Sequence, residues 1–265
     1  MPDQSIVFDQ AAGYYDETRG FPPGIDHEMA RFLAAEAGLK SAHRVVEIGV
    51  GTGRIALPVA KYVSLLVGVD LSTEMMQRLL EKHQQPEYAG GTIRVVQGDV
   101  MRLPLASAVF DAAIATHIFH LIPSPEAAAA EVARVLKSGG LMLNCRNRHQ
   151  ERTFEPMLDA WDAAVQEKAS RQISGSWTQV YTLFEEMGWP QVGEERVFQY
   201  HFDRTPAQLL DQYRRRVFSS LWSLPDDVWR RGVDAMEAAM HAHYPNASEV
   251  HHIPGSFVIQ IYRKP

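Results

Sequence analysis

Cysteine is nearly absent: Cys145 is the single one in 265 residues. No disulfide can form within the chain, and an intracellular, cytoplasmic location is the expectation. The thiol sits in the apolar run Leu141-Met142-Leu143-Asn144-Cys145 and is expected to pack, not to react. No stretch of 18 apolar residues exists, so no membrane span is expected. Met1 to Gln10 carries acids and lacks the apolar core of a secretory leader. Basic charge is short as well: 26 Lys and Arg against 32 Asp and Glu leave a net charge of −6 and a pI near 6.0. That balance argues against nucleic acid as the main partner. The only basic run, Arg214-Arg215-Arg216, falls in a predicted helix and reads as a solvated face. Internal repeats and low-complexity tracts are missing too; Ala127–Ala130 is a helix former. His241, His243, His251 and His252 come close together late in the chain, but no cysteine or acid cluster accompanies them and no metal site is assigned. What is left is 46% hydrophobic and 22% charged, which suits one α/β domain with an elaboration.

The stretch Val45-Val46-Glu47-Ile48-Gly49-Val50-Gly51-Thr52-Gly53-Arg54-Ile55 organises the rest. Apolar residues around an acid, then three glycines two apart, then an apolar run, describe a strand turning sharply into a helix. Glycine accepts left-handed dihedrals and lets a ligand lie against bare backbone, and a helix from about 53 to 62 would aim its free amides at it. Pro58 inside that helix is expected to bend or shift it. The dinucleotide fingerprint is Gly-x-Gly-x-x-Gly; here the spacing is Gly-x-Gly-x-Gly, with Glu47 two residues ahead. A carboxylate there repels a pyrophosphate and welcomes an ammonium or a sulfonium.

This segment resembles the first motif of the class I S-adenosylmethionine-dependent methyltransferases, in particular the small-molecule group that includes the ubiquinone/menaquinone-biosynthesis type. The resemblance implies that Glu47, Gly49, Val50 and Gly51 line the cofactor. It continues in order. Leu65-Leu66-Val67-Gly68-Val69 reads as a strand buried on both faces and ends on Asp70. A carboxylate accepts both hydroxyls of a ribose at once, and Asp70 matches the family's ribose-binding acid, with Leu71 beside it. Ser72 caps the next helix, 72–83, in which Met75 is placed to cover the adenine face or to pack in the core. Thr92–Gln97 is the third strand, and Gly98-Asp99-Val100-Met101-Arg102-Leu103-Pro104 resembles the family's third motif. There the acid accepts from the adenine amino group and the next amide meets a ring nitrogen, the places of Asp99 and Val100. Val109–Ala115 is the fourth strand, running into Thr116-His117. In the family this strand end lies beside the reactive methyl group, so Thr116 and His117 join the cofactor set, and His117 is the candidate to orient the acceptor or take a proton. Ser124-Pro125-Glu126 opens a helix, and Glu131–Gly140 is similar to the family's helix and turn before the fifth strand, 141–145. Upstream, Phe8–Arg19 resembles the segment that folds over the cofactor, bringing Tyr15 and Arg19 to it; an aromatic pair on the sheet edge is the other reading.

The remaining third is less legible. Helices are predicted over 155–170, from a Ser176–Gln179 capping box, from a Thr205–Gln208 capping box, and from Pro225, where Val228, Gly232, Met236 and Met240 recur every four residues. Trp161, Trp177, Trp222 and Trp229 are expected to pack these helices or to line an apolar pocket.

The expected architecture is therefore α/β: a Rossmann-like, seven-stranded, mostly parallel sheet with an antiparallel last strand, helices on both faces and a helical lid insertion. It forms a single domain over 1–265. Residues 1–40 cover the cofactor, 41–146 form its binding core, 147–175 and 205–245 form the lid, and 195–202 with 256–263 are the terminal strand pair. The resemblance implies an enzyme that moves a methyl group from S-adenosyl-L-methionine to a small, partly apolar organic acceptor by in-line displacement, releasing S-adenosyl-L-homocysteine. A nicotinamide-dinucleotide oxidoreductase and a non-catalytic binding module are the alternatives. The sequence leaves the acceptor atom and the oligomeric state open.

Overall fold

The computed structural model describes residues 5–149, 151–169 and 177–265, with the side chains at 149, 151–152, 166–169 and 177–181 left aside. Seven strands form one sheet in the order β3-β2-β1-β4-β5-β7-β6. They are β1 (Arg44–Ile48), β2 (Leu65–Asp70), β3 (Ile93–Gln97), β4 (Phe110–Thr116), β5 (Leu136–His149), β6 (Arg196–Arg204) and β7 (His251–Arg263). The pairs β1–β2, β1–β4, β2–β3 and β4–β5 are parallel. β7 runs antiparallel to β5: the amide of Gly139 donates to Lys264 O and that of Lys264 to Gly140 O. The terminal strand thus lies beside the fifth, as the sequence predicts.

The central strands are apolar without alternation because helices cover both faces. Val45, Val46, Ile48, Leu66, Val69 and Ala112–Ala115 are all buried. The parallel strands are linked by short helices: α3 (Ala56–Val59), α4 (Thr73–His83) and α5 (Pro125–Val135). Ser72 caps α4 by accepting from the Met75 amide, and Ser124 caps α5 by accepting from Ala127, with Pro125 in the first turn. At the other end of α5, Lys264 Nζ donates to Ala133 O and Leu136 O at 2.6 and 2.7 Å, satisfying carbonyls that a helix end leaves open. Helices α1 (Tyr15–Arg19) and α2 (Ile25–Glu36) precede the sheet, and α7 (Trp177–Glu186) packs Leu183 and Phe184 into the core it shares with Val132, Trp189 and Tyr262.

Two elements differ from expectation. The helix after the glycine turn does not run from 53 to 62; it is α3, four residues long, followed by a 3-10 turn at Ala60–Tyr62. Left-handed φ values at Gly49, Gly51 and Gly53 interrupt any helix through residue 53, and Pro58 then sits in the first turn of α3, where no amide is needed. β5 starts at Leu136, not 141, because Lys137–Gly140, read as a turn, pairs with Lys264.

The chain divides into two compact units, 1–147 with 176–198 and 256–265, and 148–175 with 199–255. The second has its own core. Phe154, Met157, Trp161 and Val165 of α6 (Glu155–Ala169) meet Leu209 and Leu210 of α8 (Pro206–Arg214) and Val228, Val233, Met236 and Met240 of α9 (Asp226–His243). Thr205 and Gln208 form the predicted capping box. Trp161 packs on Tyr213, its ring centroid 4.6 Å away, while the indole N–H groups of Trp222 and Trp229 donate to Arg216 O and Tyr213 O. These three tryptophans pack the helices. Ser176 and the side chains of Trp177 and Gln179 lie outside the described residues. Among the described residues no helix is long and apolar enough to cross a membrane, and no three His, Cys, Asp or Glu side chains are grouped to hold a metal.

Candidate functional site

Strand order reverses between β1 and β4, and in open α/β sheets a ligand binds outside the carboxyl ends of the strands at such a point. Glu47 and the glycine turn follow from β1, Asp70 ends β2, Asp99 follows β3, and Thr116 ends β4.

Glu47 is buried, and its Oε2 has no hydrogen-bond partner. Burial pushes its carboxyl well above the usual range; the Arg54 guanidinium pulls the other way and the Asp70 carboxylate adds to the rise. An orphaned oxygen of this kind calls for a donor or a cation.

Asp70 is fixed by backbone: Gly51 N–H donates to Oδ2 at 2.8 Å and Ser72 N–H to Oδ1 at 2.9 Å. Its carboxyl is raised by burial against the pull of those amides. The Leu71 amide adds a third bond, and the two oxygens with four lone pairs between them keep room for a further donor such as a ribose hydroxyl. The glycine turn itself offers few amides outward, since Gly49 and Val50 donate to Val69 O and Gly53 to Val50 O. With α3 only one turn long, the turn is no phosphate cradle, and this corrects the expectation of helix amides facing the ligand. A Cβ at Gly49 would fall 2.7 Å from Ile118 and one at Gly53 2.6 Å from Leu79, whereas at Gly51 the nearest atom is the Met75 methyl at 3.4 Å. Met75 is buried, and Val50 fills the space above Gly68. Leu71 accepts from the Gln97 side chain through its carbonyl.

Asp99 Oδ1 accepts from the Met101 amide at 2.8 Å, which leaves Oδ2 for another donor; Val100 is buried. Glu131 and Arg134 hold this loop onto α5. Glu131 accepts the Leu103 amide, and Arg134 donates to Leu103 O and Leu105 O while pairing with Glu131, which draws the Glu131 carboxyl below its usual range.

The Thr116 hydroxyl is buried beside the Cys145 thiol and makes no conventional hydrogen bond. His117 has a left-handed backbone, φ 54°, uncommon outside glycine. Its amide donates to Cys145 O at 3.3 Å, and its Nε2 accepts from the Asn147 amide at 2.7 Å. A neutral imidazole that accepts at Nε2 carries its proton on Nδ1. His120, edge-on to it at 6.2 Å, is held neutral by burial, its pKa lowered to about 4.

The N-terminal arm lies against this turn. Thr52 Oγ1 donates to Asp16 Oδ1 at 2.6 Å, Lys82 pairs with Asp16 Oδ2 at 2.8 Å, and Arg54 donates to Arg19 O while its guanidinium stacks on Phe21. Tyr15 meets Phe8 edge-on, and Arg19 reaches the glycine turn through its carbonyl. Sequence reasoning missed Asp16, Thr52 and Arg54. Thr52 and Arg54 lie inside the glycine motif, but their partners are 36 and 35 residues away.

Residues 46–144 match the family described as "Methyltransferase domain". The chain is 34% identical over 144 residues to the ubiquinone/menaquinone biosynthesis C-methyltransferase UbiE of Syntrophotalea carbinolica, covering 53% of this chain and 60% of that one. It is 28% identical over 195 residues to the demethylmenaquinone methyltransferase of Renibacterium salmoninarum, covering 71% and 78%. The chain spans less than two thirds of the first of these relatives. Among solved structures, a putative methyltransferase of Bacillus halodurans superposes with a TM-score of 0.58 at 19% identity, covering 91% of this chain and all of that one. A phosphoethanolamine N-methyltransferase of Haemonchus contortus, in complex with phosphomonomethylethanolamine and S-adenosylhomocysteine, gives 0.54 at 18% identity, covering 97% and 57%.

S-adenosylhomocysteine is bound in that last structure, and the residues at the corresponding strand ends here have the chemistry to hold a group of that kind. A buried, unpartnered Glu47 oxygen suits a cationic amino acid moiety, the remaining acceptor capacity of Asp70 suits a ribose hydroxyl, and the free Asp99 oxygen suits an amino group. Residues 46–144 thus match a methyltransferase domain on a Rossmann-like sheet, and the chain resembles the class I S-adenosylmethionine-dependent methyltransferases of the ubiquinone/menaquinone-biosynthesis group.

Proposed function

We propose that this chain transfers the methyl group of S-adenosylmethionine to a small, partly apolar organic acceptor. The observation that carries the proposal is the placing of Glu47, Asp70 and Asp99 at the carboxyl ends of successive strands beside the switch point, with one Glu47 oxygen buried and unanswered. Bound there, the cofactor supplies an electrophilic methyl on a positively charged sulfur. The chain's part is to hold and align. Asp70 and Asp99 fix the nucleoside, Glu47 takes the cationic end, and the buried walls formed by Val50 and Val100 exclude water. Tyr15, Arg19, Leu71 and Met75 complete the cofactor set in this reading, with Thr116 and His117 beside the methyl group.

His117 acts as a donor. With the Asn147 amide donating to Nε2, the ring carries its proton on Nδ1, which suits a donor to a lone pair on the acceptor. Of the two roles open to His117, orientation of the acceptor is the one this tautomer favours. The acceptor this suits carries an oxygen beside the methylated atom and arrives ionised, as a phenolate or enolate. The names of the relatives point the same way, so ring-hydroxylated aromatics are the first to test.

The test is calorimetry of the purified chain with S-adenosylmethionine, S-adenosylhomocysteine and NAD, followed by assay of S-adenosylhomocysteine release with phenols, hydroquinones, amines and carbon acids. Saturable binding of the first two and turnover of a hydroxylated aromatic are expected. Binding of NAD alone would overturn the reading.

A further inference from the structure

We infer that Arg146 is a positioning residue for His117, acting from the opposite face of the sheet; this rests on the methyl-transfer reading above. The last β4–β5 pair is Thr116 with Cys145, so beyond Cys145 the strand β5 has no β4 residue beside it. Yet the two backbone groups that hold His117 come from this margin: Cys145 O accepts the His117 amide, and the Asn147 amide donates to the ring. They flank Arg146 on either side. Side chains alternate along a strand, which turns Arg146 away from His117.

On that other face Arg146 is 5% exposed. Its Nη1 donates to Gln260 Oε1 of β7 at 3.1 Å, and its Nη2 pairs with Glu195 in the turn before β6. The clamp therefore ties the free margin of β5 to the antiparallel strands. With Arg146 buried and Glu195 32% exposed, the pair is half in solvent and adds little net stability. What it does fix is geometry: the planar guanidinium engages two partners in set directions. If the clamp is released, the Asn147 amide shifts, Nε2 loses its donor, and the ring is free to move its proton from Nδ1 to Nε2.

The experiment uses the full chain and three variants. R146M/E195Q removes both charges without stranding one, E195Q removes the partner's charge but leaves an accepting oxygen, and R146K keeps the charge without the two-partner geometry. Long-range ¹H–¹⁵N spectra report the imidazole tautomer, with the His117 signals assigned by their loss in H117Q. Calorimetry gives S-adenosylmethionine affinity, and kcat is read with the best acceptor of the panel. Wild type is expected to show His117 as the Nδ1–H form alone. R146M/E195Q should fold with a similar melting temperature, show a mixture of tautomers, and lose roughly tenfold to a hundredfold in kcat while the cofactor Kd stays within about twofold. E195Q should fall between, and R146K should recover part of the loss. A folded R146M/E195Q with a pure Nδ1–H tautomer and kcat within about twofold of wild type overturns the proposal. A wild-type chain that binds no S-adenosylmethionine overturns the methyl-transfer reading instead, and the tautomer alone then decides the clamp.

Discussion

Glu47 shows how one side chain sets the chemistry of a site. Its carboxyl is raised by burial, so the folded chain holds a proton that the unfolded chain has released. The folded state then binds more protons, and stability falls as pH rises from the unfolded value near 4.5 through the higher folded value. A cationic ligand favours the charged form, so S-adenosylmethionine uptake within that window should release protons. The binding enthalpy should vary with the ionisation enthalpy of the buffer, and Glu47→Gln should reduce that slope; an unaltered slope would remove Glu47 from the site. Asp70→Ala should weaken S-adenosylmethionine binding by ~1–3 kcal/mol, the cost of unanswered ribose hydroxyls. Calorimetry on the folded variant checks this, and an unchanged Kd would exclude the ribose role. The places of Glu47 and Asp70 in the fold were legible because each lies at the end of a local strand-and-turn pattern. Asp16 was not: its bonds to Thr52 and Lys82 exist only once the arm has folded back onto the sheet. Nor was the tautomer of His117, which depends on an amide 30 residues away.

Elements that carry their own punctuation were read correctly. Ser72, Ser124 and Thr205 open helices where their side chains meet N2 or N3 amides. Extent was misjudged where tertiary pairing overrides local signals, as at α3, shortened by three left-handed glycines, and at β5, lengthened by Lys264. Gly232 in α9 tests the same conflict. By propensity alone, Gly232→Ala in a helix interior should stabilise by about 1 kcal/mol. Here a Cβ would stand 2.6 Å from the Trp161 ring and 2.9 Å from Val165. Crowding should win, with a net loss of ~1–3 kcal/mol in urea unfolding. A gain in stability would mean that α6 gives way more easily than its packing implies.

At the scale of the whole molecule, charge and topology say different things. The excess of acids should keep the chain off nucleic acid, so a fluorescent DNA duplex and an RNA hairpin at low salt should show no saturable binding; micromolar binding would reverse that. Topology was the part most open to sequence, because the strand–helix alternation up to β5 dictates a parallel sheet. The elaboration was opaque, since its helices bury generic apolar faces and carry no residue pattern tied to a ligand. One contact described above has a kinetic outcome. Asp16 is bonded at once to the glycine turn and to α4, and in the proposed reading this arm covers the nucleoside, so it would have to let go for entry and re-form afterwards. Stopped-flow association should therefore level off at high ligand concentration, with a ceiling set by the opening rate, and Asp16→Ala should lift that ceiling while quickening escape. Uptake would then be timed by a hinge of the chain and not by diffusion.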